Sequence, residues 1–207
     1  MKVYHFPPSP NSRRVLAVIY DLGLEAELEL VDLPKGEQMR EAFLRLNPNH
    51  MIPVLEDGDF VLWESNAIMQ YLTSKRPGNT LWPSDPKVQA NISRWQCWQL
   101  GHWGAACGIF IYERLVKKML DLGPPDPAEI AKAEERFHRF ADVLNRHLEG
   151  RTWLVGDSVT LADFSVGSLL DLTDTAKYPI ESYGEIQRWY AGLRVLDAWE
   201  RSAPTKL

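Results

Sequence analysis

The chain has 207 residues, 45% of them hydrophobic and 25% charged, with a formal net charge of -5 at pH 7. That balance suits one large or two small globular domains with a sizeable core, and it excludes a general nucleic-acid binder, which needs a basic surface to displace counterions from phosphates. The opening residues lack an apolar signal core and no run has the apolar length to cross a bilayer, so a cytoplasmic location without membrane contact is expected.

In chain order, Val3 to Phe6 predicts a short strand. Val15, Leu16, Val18, Ile19 and Leu22 recur at helical spacing, and Gly23 supplies the stop. Residues 27–31 (ELELV) alternate polar and apolar as a half-buried strand does, and EQMREAFLRLNP predicts a helix that ends before Pro48. Two apolar runs around Asp57 and Gly58 predict a hairpin, and Ile68, Met69, Tyr71 and Leu72 form the face of another helix. The order is βαβαββα.

RPGNTLWPSD, rich in Pro, Gly, Asn and Ser, reads as a linker. Beyond it the strand signals cease, and long windows beginning at Pro86 and Pro127 read as helices separated by LGPPDP. The expected division is therefore an α/β domain over 1–78, a linker over 79–84 and an all-helical domain over 85–207. Thr160 and Asp163 have capping-box spacing, with Val159 and Phe164 as a hydrophobic staple. Cys97 and Cys107, with five scattered histidines, match no metal-ligand spacing. In this setting the two thiols read as small buried hydrophobes, not as a disulfide.

Four stretches carry chemistry: SPNSRRV after the first strand, NPNHMIPVL before the hairpin, WESNAI at the third helix and SVTLADF in the helical half. Together, and in this order, they resemble the glutathione S-transferase superfamily over nearly the whole chain. The elbow is similar to the serine-type members, the theta, delta and related bacterial branches. The resemblance implies a thioredoxin-like N-terminal domain followed by an all-helical domain. It also implies glutathione as co-substrate with no metal, and a homodimer acting on a small hydrophobic electrophile.

On the glutathione side, the resemblance implies a cis Ile52–Pro53 bond that turns the Ile52 backbone, with Met51 beside it, toward the cysteinyl part of the tripeptide. Glu64 and Ser65 would receive its α-ammonium and α-carboxylate, Ser65 doubling as helix cap. His50 and Gln38 would approach the glycine end. A surface histidine and a plain edge proline are the simpler alternatives. Trp103, Phe110 and Tyr112 would face the electrophile, with Trp199 as an added wall, although tryptophans at helical spacing also suit a core.

Ser9, Asn11 and Ser12 are the candidates for contact with the sulfur. Ser9 resembles the first position of a thioredoxin-type CxxC with both sulfurs replaced, which excludes a protein dithiol cycle. Asn11 fits an elbow of bacterial relatives that reduce disulfides with bound glutathione, and Ser12 is most simply a helix cap. One of Arg13 and Arg14 would be structural. The leading function is conjugation of glutathione to electrophiles; glutathione-dependent disulfide or peroxide reduction and a catalytically silent binding relative are the alternatives.

Overall fold

The sheet of the first unit has four strands: β1 (Lys2–His5), β2 (Glu27–Leu30), β3 (Val54–Asp57) and β4 (Phe60–Trp63), in the spatial order β2-β1-β3-β4. The computed structural model describes residues 1–204. β1 and β2 run parallel, while β3 is antiparallel to β1 and to β4. A parallel pair needs a crossover, and α1 (Pro10–Asp21) supplies it. The hairpin pairs Asp57 with Phe60, so its loop is Gly58-Asp59, one residue later than the sequence suggests, and Gly58 takes the positive φ of 66°.

Strand alternation assigns the two faces. Val3 and Leu55, register partners, are fully buried on the side of α1 and α3 (Ser65–Thr73), which pack against each other. Tyr4 and Val54 point the opposite way, into a small core with Phe6, Val31, Phe43 and Ile52. Phe43 comes from α2 (Glu41–Leu44).

Two expectations change here. The predicted helix over residues 37–47 is broken: Glu37–Met39 forms a 3₁₀ turn, Arg40 is extended (φ -69°, ψ 141°), and α2 begins afresh. β2 is not half-buried, because as the edge strand it leaves all four residues exposed, and only Val31 beyond it enters the core.

The expected linker is tied down. Asn79 donates to the carbonyls of Thr73 and Arg76 and accepts from the Trp82 N–H, while Leu81 is fully buried. The chain divides into Met1–Pro83 with the segment from Val195, and Ser84–Arg194. The segment from Val195, expected within the helical domain, makes its contacts within the first unit. The reason is α11 (Asp197–Arg201), which packs on α1: the Arg13 guanidinium lies 4.5 Å from the ring of the fully buried Trp199, donates to its carbonyl at 3.0 Å and reaches Ser202 Oγ at 3.3 Å. Residues 205–207 of the expected domain lie outside the described residues.

The second unit is helical. α4 (Pro86–Trp98), α5 (Gly104–Ile111) and α6 (Lys117–Met119) follow one another through two π-helical turns, Gln99–Trp103 and Tyr112–Val116. Gly104 is required at the first of these, since a Cβ there would sit 2.7 Å from the Gln99 carbonyl oxygen. α7 (Pro127–Leu148) starts at Asp126, whose carboxylate accepts from the Ala128 N–H. α8 (Leu161–Gly167) has the capping box read from the sequence. Asp163 also accepts from the Leu154 N–H and the Trp189 indole, so it knots three segments in the core, and burial raises its pKa. α9 (Thr173–Ala176) and α10 (Gly184–Arg194) complete the unit. Cys107 is buried as expected, but Cys97 is exposed; both are free thiols.

Candidate active site

Register brings the site together. Tyr4 pairs with Val54 and Val54 with Trp63, so the end of β1, the start of β3 and the end of β4 share one end of the sheet. β2, parallel to β1, ends there too, with His5 opposite Leu30. The elbow of Ser9, the Ile52–Pro53 bond, the Glu64–Ser65 step and the loop toward Gln38 all leave the sheet from this end.

Ser9, half-buried, caps α1 in an extended conformation (φ -79°, ψ 122°), with Pro10 as the first helical residue. Its hydroxyl oxygen accepts from the Ser12 N–H at 3.3 Å. That uses a lone pair and leaves the O–H, which donates to no group among the described residues, free to serve a ligand. Ser12 differs from its expected role on both counts. The cap is Ser9, and Ser12 is fully buried with its oxygen accepting from the Phe6 N–H at 3.2 Å, so it braces the elbow from inside. Asn11 is exposed in the first turn.

The Ile52–Pro53 peptide is cis. Outside the strand ladders, no hydrogen bond among the described residues engages the Ile52 N–H or C=O. The loop before it is shaped by buried Asn47, which donates to the Met51 carbonyl at 2.7 Å and accepts twice from Asn49. This arrangement holds His50 in the left-handed region (φ 60°), its Nδ1 buried without a partner, and leaves Met51 exposed. Gln38 Oε1 is likewise buried and unpartnered. The sequence reading missed Asn47; a side chain able to fold an Asx turn just before Pro48 was the available signal.

At α3 the expected cap moves by one residue. Glu64, exposed, takes the cap position with φ 71° and ψ 108°, and its carbonyl accepts the first helical bond from Ile68, while Ser65 is buried as the first helical residue. The first-turn amides of a helix have no intrahelical acceptor, and here they follow directly on a carboxylate. Behind them lies Arg14, fully buried, its Nη1 donating to Asn66 Oδ1 at 3.3 Å. Burial brings its pKa down to about 9, and the charge of Glu64 acts in the opposite direction, so the guanidinium is charged at neutral pH. Arg14 joins α1 to the start of α3, and Arg13 joins α1 to α11; both arginines are structural.

The electrophile residues do not form one surface. Trp103 and Phe110 are fully buried around Phe137, with ring centroids 4.8 and 6.0 Å from it, whereas Tyr112 is exposed. The helical spacing of the first two reflects core packing. Trp199 is also core, beneath Arg13. Among the described residues no His/Cys/Asp/Glu group could hold a metal ion.

A four-stranded thioredoxin-like domain followed by a helical unit defines the class of fold. Comparison with known proteins makes the class specific. Residues 1–74 match the glutathione S-transferase N-terminal domain, and residues 127–202 match its C-terminal domain. Glutathione S-transferase D7 of Drosophila melanogaster is 29% identical over 98% of this chain and 88% of its own. Among solved structures, glutathione S-transferase III in its apo form is 32% identical (TM-score 0.85, covering all of this chain and 98% of that one). Glutathione transferase F7 from Populus trichocarpa is 27% identical (TM-score 0.89, 98% and 97% covered). The chain belongs to the glutathione S-transferase family, and it is a glutathione transferase.

Proposed function

We propose that the enzyme is a serine-type transferase that joins the glutathione thiolate to hydrophobic electrophiles, with Ser9 as donor to the sulfur. The observation that carries this is the Ser9 hydroxyl: its oxygen is held by the Ser12 N–H, its proton is uncommitted, and it stands at the N-terminus of α1.

A free thiol with pKa of about 8.5 is mostly protonated at pH 7, and lowering that value by two units takes about 2.7 kcal/mol. A hydrogen bond to a charged group supplies about 1.5 to 3 kcal/mol, and a helix N-terminus about 0.3 to 1. The two together suffice without a general base. The thiol proton leaves to solvent; the thiolate then forms the C–S bond at the electrophilic carbon, and the leaving group departs with the bonding pair. Ser9 stays a donor throughout and forms no covalent bond.

In the same reading, the open N–H and C=O of Ile52 pair with the cysteinyl backbone of glutathione. Glu64 and the Ser65 amides take the zwitterionic end, and His50 and Gln38 face the glycine carboxylate. Met51, exposed beside them, covers the tripeptide. Tyr112 is retained as an electrophile contact. The enzyme works as a homodimer, for which the exposed Phe60, Val61 and Trp63 on β4 offer apolar surface.

The test is Ser9→Ala. Thiolate absorbance of bound glutathione at pH 7 is expected to vanish, and kcat with a chromogenic aryl halide to fall at least about tenfold, for a loss near 1.5 kcal/mol. Undiminished absorbance and turnover would remove Ser9 from the role. Parallel assay with a mixed glutathione disulfide separates conjugation from reduction: turnover there that exceeds the aryl halide reaction and depends on Asn11 would replace the proposal.

A further inference from the structure

The sheet has two edges, and they differ. β4 forms one, with the exposed Phe60, Val61 and Trp63 that belong to the surface proposed for the homodimer, and β2 forms the other. Every residue of β2 is exposed, Leu28 at 40% and Leu30 at 45%. The ladder fixes which backbone groups are already used. The Glu27 N–H donates to the Met1 carbonyl at 3.0 Å, and the Val31 N–H to the His5 carbonyl at 2.8 Å. Alternate residues of a parallel strand bond to the same neighbour, so Glu27, Glu29 and Val31 turn to β1 while the N–H and C=O of Leu28 and Leu30 turn outward. No hydrogen bond among the described residues reaches these outward groups.

The side chains sort by the period of two. Leu28 opposes the buried Val3 and, with Leu30, forms an apolar row on one face of the edge. Glu27 and Glu29 oppose Lys2 and Tyr4 and form an acidic row on the other face. Two carboxylates share one ammonium there: Lys2 Nζ lies 3.0 Å from Glu27 but 4.0 Å from Glu29. Glu29 is therefore left without a close cation. It lines a hollow of about 240 Å³ whose aromatic walls are Tyr4 and Phe43, and the one arginine there, Arg40, is paired with Glu37 at 3.0 Å.

These features select the occupant. A second copy of the chain does not fit, because a two-fold pairing of β2 edges is antiparallel and sets outward residues opposite outward ones. Glutamates would then meet glutamates, and like charges directly opposite destabilise a sheet. A cation on an extended backbone meets every need of the edge. We infer that β2 is a docking edge for an extended segment of a partner protein, in which Lys or Arg alternates with an apolar, β-branched residue. Added as a fifth strand antiparallel to β2, the segment satisfies the outward N–H and C=O groups of both leucines. Its apolar residues lie opposite Leu28 and Leu30, and its cations lie opposite Glu27 and Glu29, the latter one reaching the Tyr4 and Phe43 rings. So short a strand makes a small, reversible contact.

The experiment uses the full chain and the peptide acetyl-Lys-Val-Lys-Val-Lys-amide. Calorimetric titration is expected to give one peptide per chain and a Kd that rises with salt. The same peptide methylated on both valine nitrogens keeps its charge and apolar surface but loses the strand donors, and should bind at least about tenfold more weakly. Glu27→Gln/Glu29→Gln changes two exposed side chains, and should weaken binding at least about fivefold with glutathione turnover as in the parent. Saturating peptide should slow hydrogen exchange at the Leu28 and Leu30 amides and leave the core of α7 unaffected. No binding, equal binding of the methylated peptide, indifference to the glutamine pair, or unaltered exchange at Leu28 and Leu30 would each overturn the inference. So would exchange at these two amides that slows with rising protein concentration alone, which would give the edge to a second copy.

Discussion

Glu64 holds a backbone conformation that an L side chain normally avoids, at a cost of about 1 to 3 kcal/mol, and it does so at the mouth of α3. Arg14 and Asn66 fix the helix start from behind, and in the proposed function the carboxylate and the amides that follow face the same ligand. Glycine would relieve the strain. Glu64→Gly is therefore expected to be more stable by about 1 kcal/mol, after allowance for the extra freedom of the unfolded glycine, and to show a KM for glutathione raised at least about tenfold. Thermal unfolding and steady-state kinetics check both, and a lower Tm in the variant would contradict the strain argument. At this scale the WESNAI stretch did name Glu64 and Ser65, but it put the cap one residue late. Nothing in a glutamate signals φ 71°, a value that depends on how the β4 end is held. Likewise the elbow offered three side chains with Ser9 first among them, and burial separates the open Ser9 from the enclosed Ser12.

Elements were legible where periodicity is local, and less so where tertiary contacts decide. The helical windows at Pro86 and Pro127 and the Thr160–Asp163 box appear where the sequence puts them, because caps and spacing are encoded within a few residues. The stretch around Arg40 was misread, since six helix-forming residues in a row do not reveal that the chain must bend to lay Phe43 on Tyr4, ring centroids 6.2 Å apart. The π turns left only a faint trace, Gly104 opposite Gln99. The second π turn carries a testable charge pair. Lys117 first, and then the Asp126 N–H, hold the Glu113 carboxyl below its ordinary value of about 4.3. A depressed carboxylate contributes stability that is present above the unfolded value and is lost as pH falls through the folded one. The Tm gap between the parent and Glu113→Gln should thus be widest above about pH 5 and narrow below about pH 4. A gap that widens on acidification would show the sign to be wrong.

For the molecule as a whole, composition and element order were enough for a thioredoxin-like domain followed by helices, but not for the return of the last helix to the first. The return of α11 to α1 joins residues 186 apart in sequence, through one of the two arginines of which one was expected to be structural. Arg13→Ala removes a cation–π contact and the donor to Trp199 O, together about 1 to 3 kcal/mol. Hydrogen exchange of the amides over 197–202 should accelerate by roughly ten- to hundredfold, while exchange in the core of α7 stays as in the parent. Equal protection in both proteins would mean that Arg13 does not secure this segment.

The same join bears on the order in which a nascent chain can take shape. Residues 84–194 are threaded between the beginning of the first unit and its closing piece. The ribosome therefore releases every helix of the inserted region before it releases Trp199, and until then Arg13 has no indole to cover. The part of the protein translated earliest is in this sense the last to be finished.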